Sequence, residues 1–333
     1  MTQAAPWISQ QVRALLAQNG HAWLVHGPSG LGQYALAMEL ARAWLCEQPT
    51  PNGSCGHCVS CHAIDVRTHA DLCVLMPETF MLELGWPLSE KAQSEIDDKT
   101  RTPSREIRID GMRDAIEFAQ RTSARGRGKV VLVFPAEEMN NVTANALLKT
   151  LEEPPGDVKF VLASESAHQL LPTIRSRCLG HTMHWPDERA AKAWLVAQGL
   201  GAGDAQNLLI ASGGRPDDAL AFASSGRNSA QWSGLVLALA RGDSTYVKDW
   251  GVPELIDGMH KLCHDALAVK LGAKPRFFSA AALGVLPSSS IVSLGQWNRD
   301  LIVARKTMNH PFNAGLMQEA LVERARSALN SVH

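Results

Sequence analysis

Ala22–His26 (AWLVH) runs directly into Gly27-Pro28-Ser29-Gly30-Leu31-Gly32-Gln33-Tyr34. Tyr34–Cys46 follows, with Leu36, Leu40 and Ala43 or Trp44 at helical spacing. A short apolar strand, a glycine-rich turn and a helix in that order make a βα unit, the building block of a parallel sheet. The same order is the context of the phosphate loop G-x-x-x-x-G-K-[ST], where backbone amides cradle phosphate, lysine reaches its outer oxygens and a hydroxyl holds Mg²⁺. Gly27 and Gly32 occupy the fixed positions, with Gly30 between them. Gln33 stands where the lysine would be, and Tyr34 where the hydroxyl would be. The turn keeps its amides and loses its charge and its metal ligand.

Leu72–Met76, Val130–Phe134 and Lys159–Ala163 are further strand candidates. Between the last two, Thr143–Glu153 places Ala144, Leu147, Leu148 and Leu151 on one helical face and stops at Pro154-Pro155. This alternation predicts an α/β fold with a largely parallel sheet covered on both faces. The end of the Val130–Phe134 strand is where a nucleotide hydrolase carries Asp-Glu for Mg²⁺ and water. Phe134-Pro135 stands there. Glu137 and Glu138 follow, and are read as charges at a helix start that satisfy its dipole. Together these losses predict a chain that neither hydrolyses ATP nor binds it as a cofactor. The competing reading is an active nucleotide-dependent ATPase in which Gln33 and Glu137 or Glu138 take over phosphate and Mg²⁺ duties.

Seven cysteines are present, four of them as Cys46-x8-Cys55-x2-Cys58-x2-Cys61 in a loop rich in Pro, Gly, Asn and Ser. Two-residue gaps on a turn let thiolates converge on one centre, and four thiolates satisfy tetrahedral Zn²⁺ with no open position. An iron–sulfur cluster shares part of this spacing, but the x8 gap and the lack of a redox partner motif favour structural zinc. His57 and His62 are possible substitute ligands. Cys73, Cys178 and Cys263 sit in strand or helix contexts and read as buried free thiols.

Pro77–Ile109 has mixed charge, three prolines and weak periodicity, and reads as a long, partly mobile surface connection. Gly111–Arg121 reads as a helix and Ser123–Lys129 as a basic turn. Arg121, Arg125, Arg127 and Lys129 could meet DNA phosphates, or could simply be the charged turn common between helix and strand. Asp187–Gly199, Asp204–Ala211 and Pro216–Ser224 are helical, and from about Asn228 the pattern is helical with breaks at Gly251–Pro253, Pro275, Pro287 and Pro311. Three domains are expected: 1–185, α/β and nucleotide-binding-like, with the 46–61 zinc loop inserted; 186–227, small and helical; 228–333, all-helical.

Lys plus Arg is 32 and Asp plus Glu 33, a net charge of −1, which argues against a surface dominated by phosphate binding. No apolar run approaches the ~20 residues of a membrane span. The N-terminal twenty residues lack the charged and apolar regions of a signal peptide. A soluble, cytoplasmic chain is expected.

The degenerate phosphate loop, the four-cysteine loop after its helix, ALLKTLEEPP at Ala146–Pro155 and Ser176-Arg177-Cys178 occur in that order. As an ordered set they resemble bacterial clamp-loader AAA+ subunits, from about Ala4 to the C-terminus. Leu262–Ala273 and Ala304–Arg326 resemble that family's collar helices. The resemblance implies an AAA+ module with a small helical lid domain and an all-α collar domain. The missing lysine and Asp-Glu pair resemble the ATPase-inactive type of subunit, not the hydrolysing gamma/tau type. It implies that Arg177, not its neighbour Arg175, is an arginine finger acting in trans at a neighbour's ATP site. It further implies gamma/tau and delta subunits as partners, with the sliding clamp and primer–template DNA met through the complex. Cys46, Cys55, Cys58 and Cys61 match the family's zinc module. Ser164-Glu165 fall where its first sensor would lie. Gly213-Gly214-Arg215 resembles its second, although Arg215 is read as structural here. The Pro77–Ile109 connection is longer than the family's usual segment.

Overall fold

The computed structural model describes residues 5–287, 289–307 and 313–331. The expected break at Pro311, and residues 308–312 of the Ala304–Arg326 segment, lie outside the described residues. The chain forms two compact units, Met1–Pro186 and Asp187–His333.

The first unit runs α1 (Pro6–Leu16), β1 (Ala22–His26), α2 (Gln33–Leu45), α3 (Val59–Asp65), β2 (Leu72–Leu75), α4 (Glu78–Glu83), α5 (Glu90–Asp97), α6 (Ile109–Gln120), β3 (Lys129–Val133), α7 (Asn141–Glu152), β4 (Val158–Ser164), α8 (Pro172–Arg175) and β5 (Leu179–Thr182). The five strands form one parallel sheet in the order β2-β3-β4-β1-β5. Both faces are covered, as the continuous apolar strands require. On one face Leu24, Val131 and Phe160 pack with Met112 of α6 and Leu147 and Leu151 of α7. On the other, Val130 packs with Ala41 and Leu45 of α2 and Ile64 of α3. Burying each such large side chain contributes about 1.5–3 kcal/mol, so this pattern fixes the layers. Local chemistry sets the ends: the Asn140 side chain accepts from the Thr143 N–H to cap α7, whose last turn precedes Pro154.

Two stretches differ from the sequence expectation. β5, Leu-Gly-His-Thr, pairs with β1 through Leu179–Thr182 opposite Trp23–His26, although nothing in its composition reads as a strand. The Pro77–Ile109 stretch is not an irregular connection, since it contains α4 and α5. The Arg101 guanidinium fastens them, donating to Glu78 (2.5 and 2.8 Å) and to Glu95 (2.6 Å). Glu78 is 9% exposed and also accepts from the Ser104 N–H. Burial acts to raise its carboxyl, but these hydrogen bonds outweigh it and hold the group below its ordinary value.

The second unit contains α9 (Glu188–Ala197), α10 (Ala202–Ala211), α11 (Pro216–Ser224), α12 (Ser229–Arg241), α13 (Val252–Lys270), α14 (Ala280–Leu283), α15 (Ile291–Thr307) and α16 (Ala314–Leu329). Its core joins Leu235 and Leu239 of α12, Met259 and Leu262 of α13, Trp297 and Leu301 of α15, and Val322 of α16. Trp232 stacks on Phe278 with ring centres 4.6 Å apart. The fully buried Asp265 carboxylate accepts the N–H groups of Arg276, Phe277 and Phe278, pinning the chain beyond α13 to that helix. Among the described residues, no helix is long and apolar enough to cross a membrane.

Candidate functional site

The glycine-rich turn joins β1 directly to α2, the strand–turn–helix order in which a phosphate loop occurs. Gly32 caps α2 with φ +92°, a conformation that favours glycine. Gln33 is 2% exposed and folds back into the turn. Its Nε2 donates to the carbonyl oxygens of Gly27 (2.8 Å) and Pro28 (2.7 Å). An amide has two N–H donors, and both are spent on the loop's own carbonyls. A lysine would extend a charge toward phosphate, whereas this side chain closes the loop on itself.

The Mg²⁺-side positions are aromatic. The Tyr34 and Phe134 rings lie 5.3 Å apart, and Phe80 meets Phe134 edge-on at 6.0 Å. Trp86 Nε1 donates to the Tyr34 hydroxyl at 2.7 Å, and the Arg67 guanidinium lies 5.6 Å from the Trp86 ring centre. Burial pushes the Tyr34 phenol up, so it stays neutral. Phe80 and Trp86 come from the Pro77–Ile109 stretch and were missed by sequence reasoning; the signal was the apolar cluster Phe80-Met81-Leu82, Leu84 and Trp86 at the start of that stretch.

Glu137 and Glu138 are not charges at a helix start. They lie in a 3-10 turn, Ala136–Glu138, and α7 begins only at Asn141. Glu137 accepts from the Glu165 N–H at 2.8 Å and so ties the end of β3 to the end of β4. Burial, followed by the charges of Glu137 and Glu106, pushes Glu138 up. Ser164 is the buried last residue of β4, beside this link.

Arg177 follows α8 and lies at the surface. Its Nε and Nη2 donate to Glu152 Oε2 at 3.1 and 2.9 Å, and its Nη1 to the Thr173 carbonyl at 3.1 Å. The contact joins two separately noted motifs, since Glu152 belongs to the 146–155 segment. Arg175, two residues earlier, is exposed.

The four sulfurs of Cys46, Cys55, Cys58 and Cys61 lie within 4.8 Å of one another and could hold a metal ion. Tetrahedral thiolates about 2.3 Å from Zn²⁺ stand about 3.8 Å apart. The observed separations from Cys46 are 3.5, 3.8 and 3.8 Å, and Cys55 to Cys61 is 4.0 Å. That spacing fits a tetrahedral ion and is far from a disulfide. Backbone N–H groups of Cys55, Cys58 and Cys61 point at the sulfurs of Cys46, Cys55 and Cys58 in turn. Burial acts against ionisation of Cys58, yet N–H donors from Cys61 and Glu47 bring its thiol down to about 6. Burial and the adjacent Cys58 push Cys61 up to about 12. His57 instead bonds the Cys55 carbonyl through Nδ1. Burial pushes Cys73 up to about 11 and Cys178 and Cys263 up to about 12. All three are free thiols, but only Cys263 is buried as expected; Cys73 and Cys178 are half-buried.

A family model described as "DNA polymerase III, delta subunit" matches residues 6–185, more than half of the chain. The chain belongs to the DNA polymerase III delta-subunit family. Among its curated relatives, DNA polymerase III subunit delta' of Pseudomonas aeruginosa is 40% identical over 203 residues, 60% of this chain and 55% of that protein. Subunit delta' of Escherichia coli K12 is 35% identical over 225 residues, 65% of this chain and 60% of that protein. The chain thus spans little more than half the length of these relatives. DNA polymerase III subunit tau of Escherichia coli K12 is 35% identical over 159 residues, 48% of this chain and 21% of that protein. A solved gamma subunit-related protein of Thermotoga maritima superposes with a TM-score of 0.51 at 18% identity, covering 97% of this chain and all of that one, and shares its fold.

In this family member the remaining sequence candidates separate. Arg121 pairs with Glu117 (2.6 Å) and Arg125 with Glu47 (3.0 Å). Lys129 is 5% exposed, 3.4 Å from Asp71 and 3.9 Å from the Phe118 ring centre. The four-residue basic run is therefore not one phosphate-facing patch, because adjacency in sequence does not decide pairing. Arg215 caps its own turn, donating to the Ser212 carbonyl (2.9 Å) and pairing with Asp218 (3.0 Å).

Proposed function

We propose that this chain is an ATPase-inactive delta' subunit of a cytoplasmic clamp-loading complex that loads the sliding clamp onto primed DNA during replication. Its partners are gamma/tau and delta subunits, and it meets clamp and primer–template DNA through the complex. The observation that carries the inactive half of this reading is Gln33, which turns its amide onto the Gly27 and Pro28 carbonyls. Tyr34, Phe134, Phe80 and Trp86 support it by filling the metal side of the loop with rings. Neither arrangement supplies the ammonium or the aliphatic hydroxyl that a phosphate loop turns toward a triphosphate and its Mg²⁺.

Arg177 supplies the active half. In the Ser176-Arg177-Cys178 context its guanidinium acts in trans, at the ATP site of a gamma/tau neighbour. A guanidinium there stabilises charge developing on the γ-phosphate oxygens, an effect worth about 10³–10⁵ in rate in well-studied cases. The Cys46, Cys55, Cys58 and Cys61 thiolates hold a structural Zn²⁺ that closes the loop after α2 and leaves no position open for substrate. Residues 186–227, all but the first of them in the second unit, serve as the small lid domain, and 228–333 as the collar that assembles the ring.

Calorimetric titration of Mg²⁺-ATP into the isolated chain tests the inactive reading. No saturable micromolar binding and no turnover are expected. Micromolar binding with turnover would instead establish the active-ATPase alternative built on Gln33 and Glu137 or Glu138.

A further inference from the structure

A groove of about 530 Å³ opens between the C-terminal end of α1, the end of α2, the cysteine loop at Pro49–Pro51, the turn before β3 and the start of β4. In an all-parallel sheet the strand starts lie along one edge and the strand ends along the other. This groove sits where β3 and β4 begin, and the phosphate-loop turn follows the end of β1. The two sites therefore occupy opposite edges of the sheet.

Arg13, Arg127 and Lys159 line the groove, against one carboxylate, Asp157. Asp157 pairs with Lys159 at 3.2 Å. Arg13 and Arg127 are exposed and make no ion pair or side-chain hydrogen bond among the described residues. The other cations of the same turn, Arg121, Arg125 and Lys129, are all committed to protein carboxylates. Arg127 is held in place by its own turn. Gly128 has φ +78°, and a Cβ there would stand 2.6 Å from the Asp157 carbonyl oxygen, so only glycine lets the turn close onto β4. Two guanidiniums with free donor forks suit phosphate oxygens, which they bind bidentately. Trp44 is also in the lining, half-buried, with Trp23 tilted against it at 4.7 Å and the Lys159 ammonium over its ring at 6.0 Å. An indole in the wall beside these cations offers apolar surface to a base carried with each phosphate. An acidic peptide would leave it unused.

We propose that this groove binds the phosphodiester backbone of a nucleic-acid strand through Arg13, Arg127 and Lys159. The inference goes beyond the clamp-loader reading and does not depend on the role of Arg177.

Fluorescence anisotropy of a labelled single-stranded oligonucleotide, titrated with the full chain over a range of salt concentrations, tests it. Arg13→Gln/Arg127→Gln/Lys159→Gln should weaken binding at least several-fold. It should also flatten the slope of log affinity against log salt by about 0.7 per lost contact. Arg121→Gln, a paired cation of the same turn, should change neither quantity. Because all three groove cations are on the surface, circular dichroism should be unaltered; Arg127→Glu alone gives a second reading with the largest local charge change. Inorganic tripolyphosphate should compete only weakly, which separates a strand site from a free-polyphosphate site. Equal binding by wild type and the triple variant, no binding by wild type at low salt, or polyglutamate binding as tightly as the oligonucleotide would each overturn the proposal.

Discussion

Arg177 Nη2 lies 2.9 Å from Glu152 Oε2, and Arg177 Nε lies 3.1 Å from the same oxygen. One carboxylate oxygen takes two donors of one guanidinium, and the Glu152 side chain is 60% exposed. Exposed pairs of this kind contribute about 0–1 kcal/mol. The contact therefore aims Arg177 without locking it, and a more highly charged anion can take the guanidinium over. Glu152→Gln should change the stability of the chain by less than about 1 kcal/mol in urea unfolding. A loss of several kcal/mol would make the pair a structural strut and weaken the case for a transferable arginine.

Gln33 is buried and satisfies the carbonyls of half-buried Gly27 and exposed Pro28, so its removal should be felt in stability and not in nucleotide binding. Gln33→Ala should cost about 0.5–1.5 kcal/mol for each of the two hydrogen bonds lost. Calorimetry should register no ATP binding before or after the change. A variant of wild-type stability would mean that water replaces the amide at no cost.

The cysteine cluster should carry about one zinc per chain, measurable by elemental analysis of the purified protein. Cys58→Ser and Cys46→Ser should each lose the metal and lower the thermal midpoint, as should a strong chelator on the wild type. Full metal content in either variant would remove these residues from the ligand set.

Asp71 is fully buried and accepts from the Ala124 and Arg125 N–H groups and the Ser123 hydroxyl, with Lys129 at 3.4 Å. Burial acts to raise its carboxyl, but these partners outweigh it and hold the group below its ordinary value. The unfolded chain then binds the proton more readily than the folded one. The contribution of Asp71 is present above about pH 4 and is lost as pH falls through the lower folded value. Asp71→Asn should cost about 3–5 kcal/mol at neutral pH, because it leaves Lys129 buried without its partner. The gap from wild type should narrow when urea unfolding is repeated near pH 3. A gap independent of pH would show that the charge is not what matters.

Strands β1 to β4 were legible because each is an apolar run bounded by turn residues, and in a sheet covered on both faces that pattern has few alternatives. β5 was not, because Leu179-Gly180-His181-Thr182 is a mostly exposed edge strand whose pairing with β1 supplies what its composition lacks. The cysteine cluster could be read from spacing alone, since two-residue gaps already force convergence. The losses at Gln33 and Tyr34 were equally plain. What fills their place was not, because Phe80 and Trp86 reach the loop from a segment whose helices are too short to show periodicity. The Ser176-Arg177-Cys178 motif was visible in the sequence, but Glu152 lies 25 residues from Arg177 and only folding brings the two together. Likewise, Arg121 to Lys129 read as one basic run until the carboxylates of Glu117, Glu47 and Asp71 divided it.

The most direct test is the DNA-stimulated ATPase of a complex reconstituted from this chain with gamma/tau and delta subunits, comparing wild type with Arg177→Ala. The trans-arginine reading predicts intact assembly by gel filtration and a lowered ATPase. Arg177→Lys should not restore it, because an ammonium lacks the planar fork, and Arg175→Ala should leave it unchanged. An Arg177→Ala complex that assembles and hydrolyses ATP at the wild-type rate would contradict that reading.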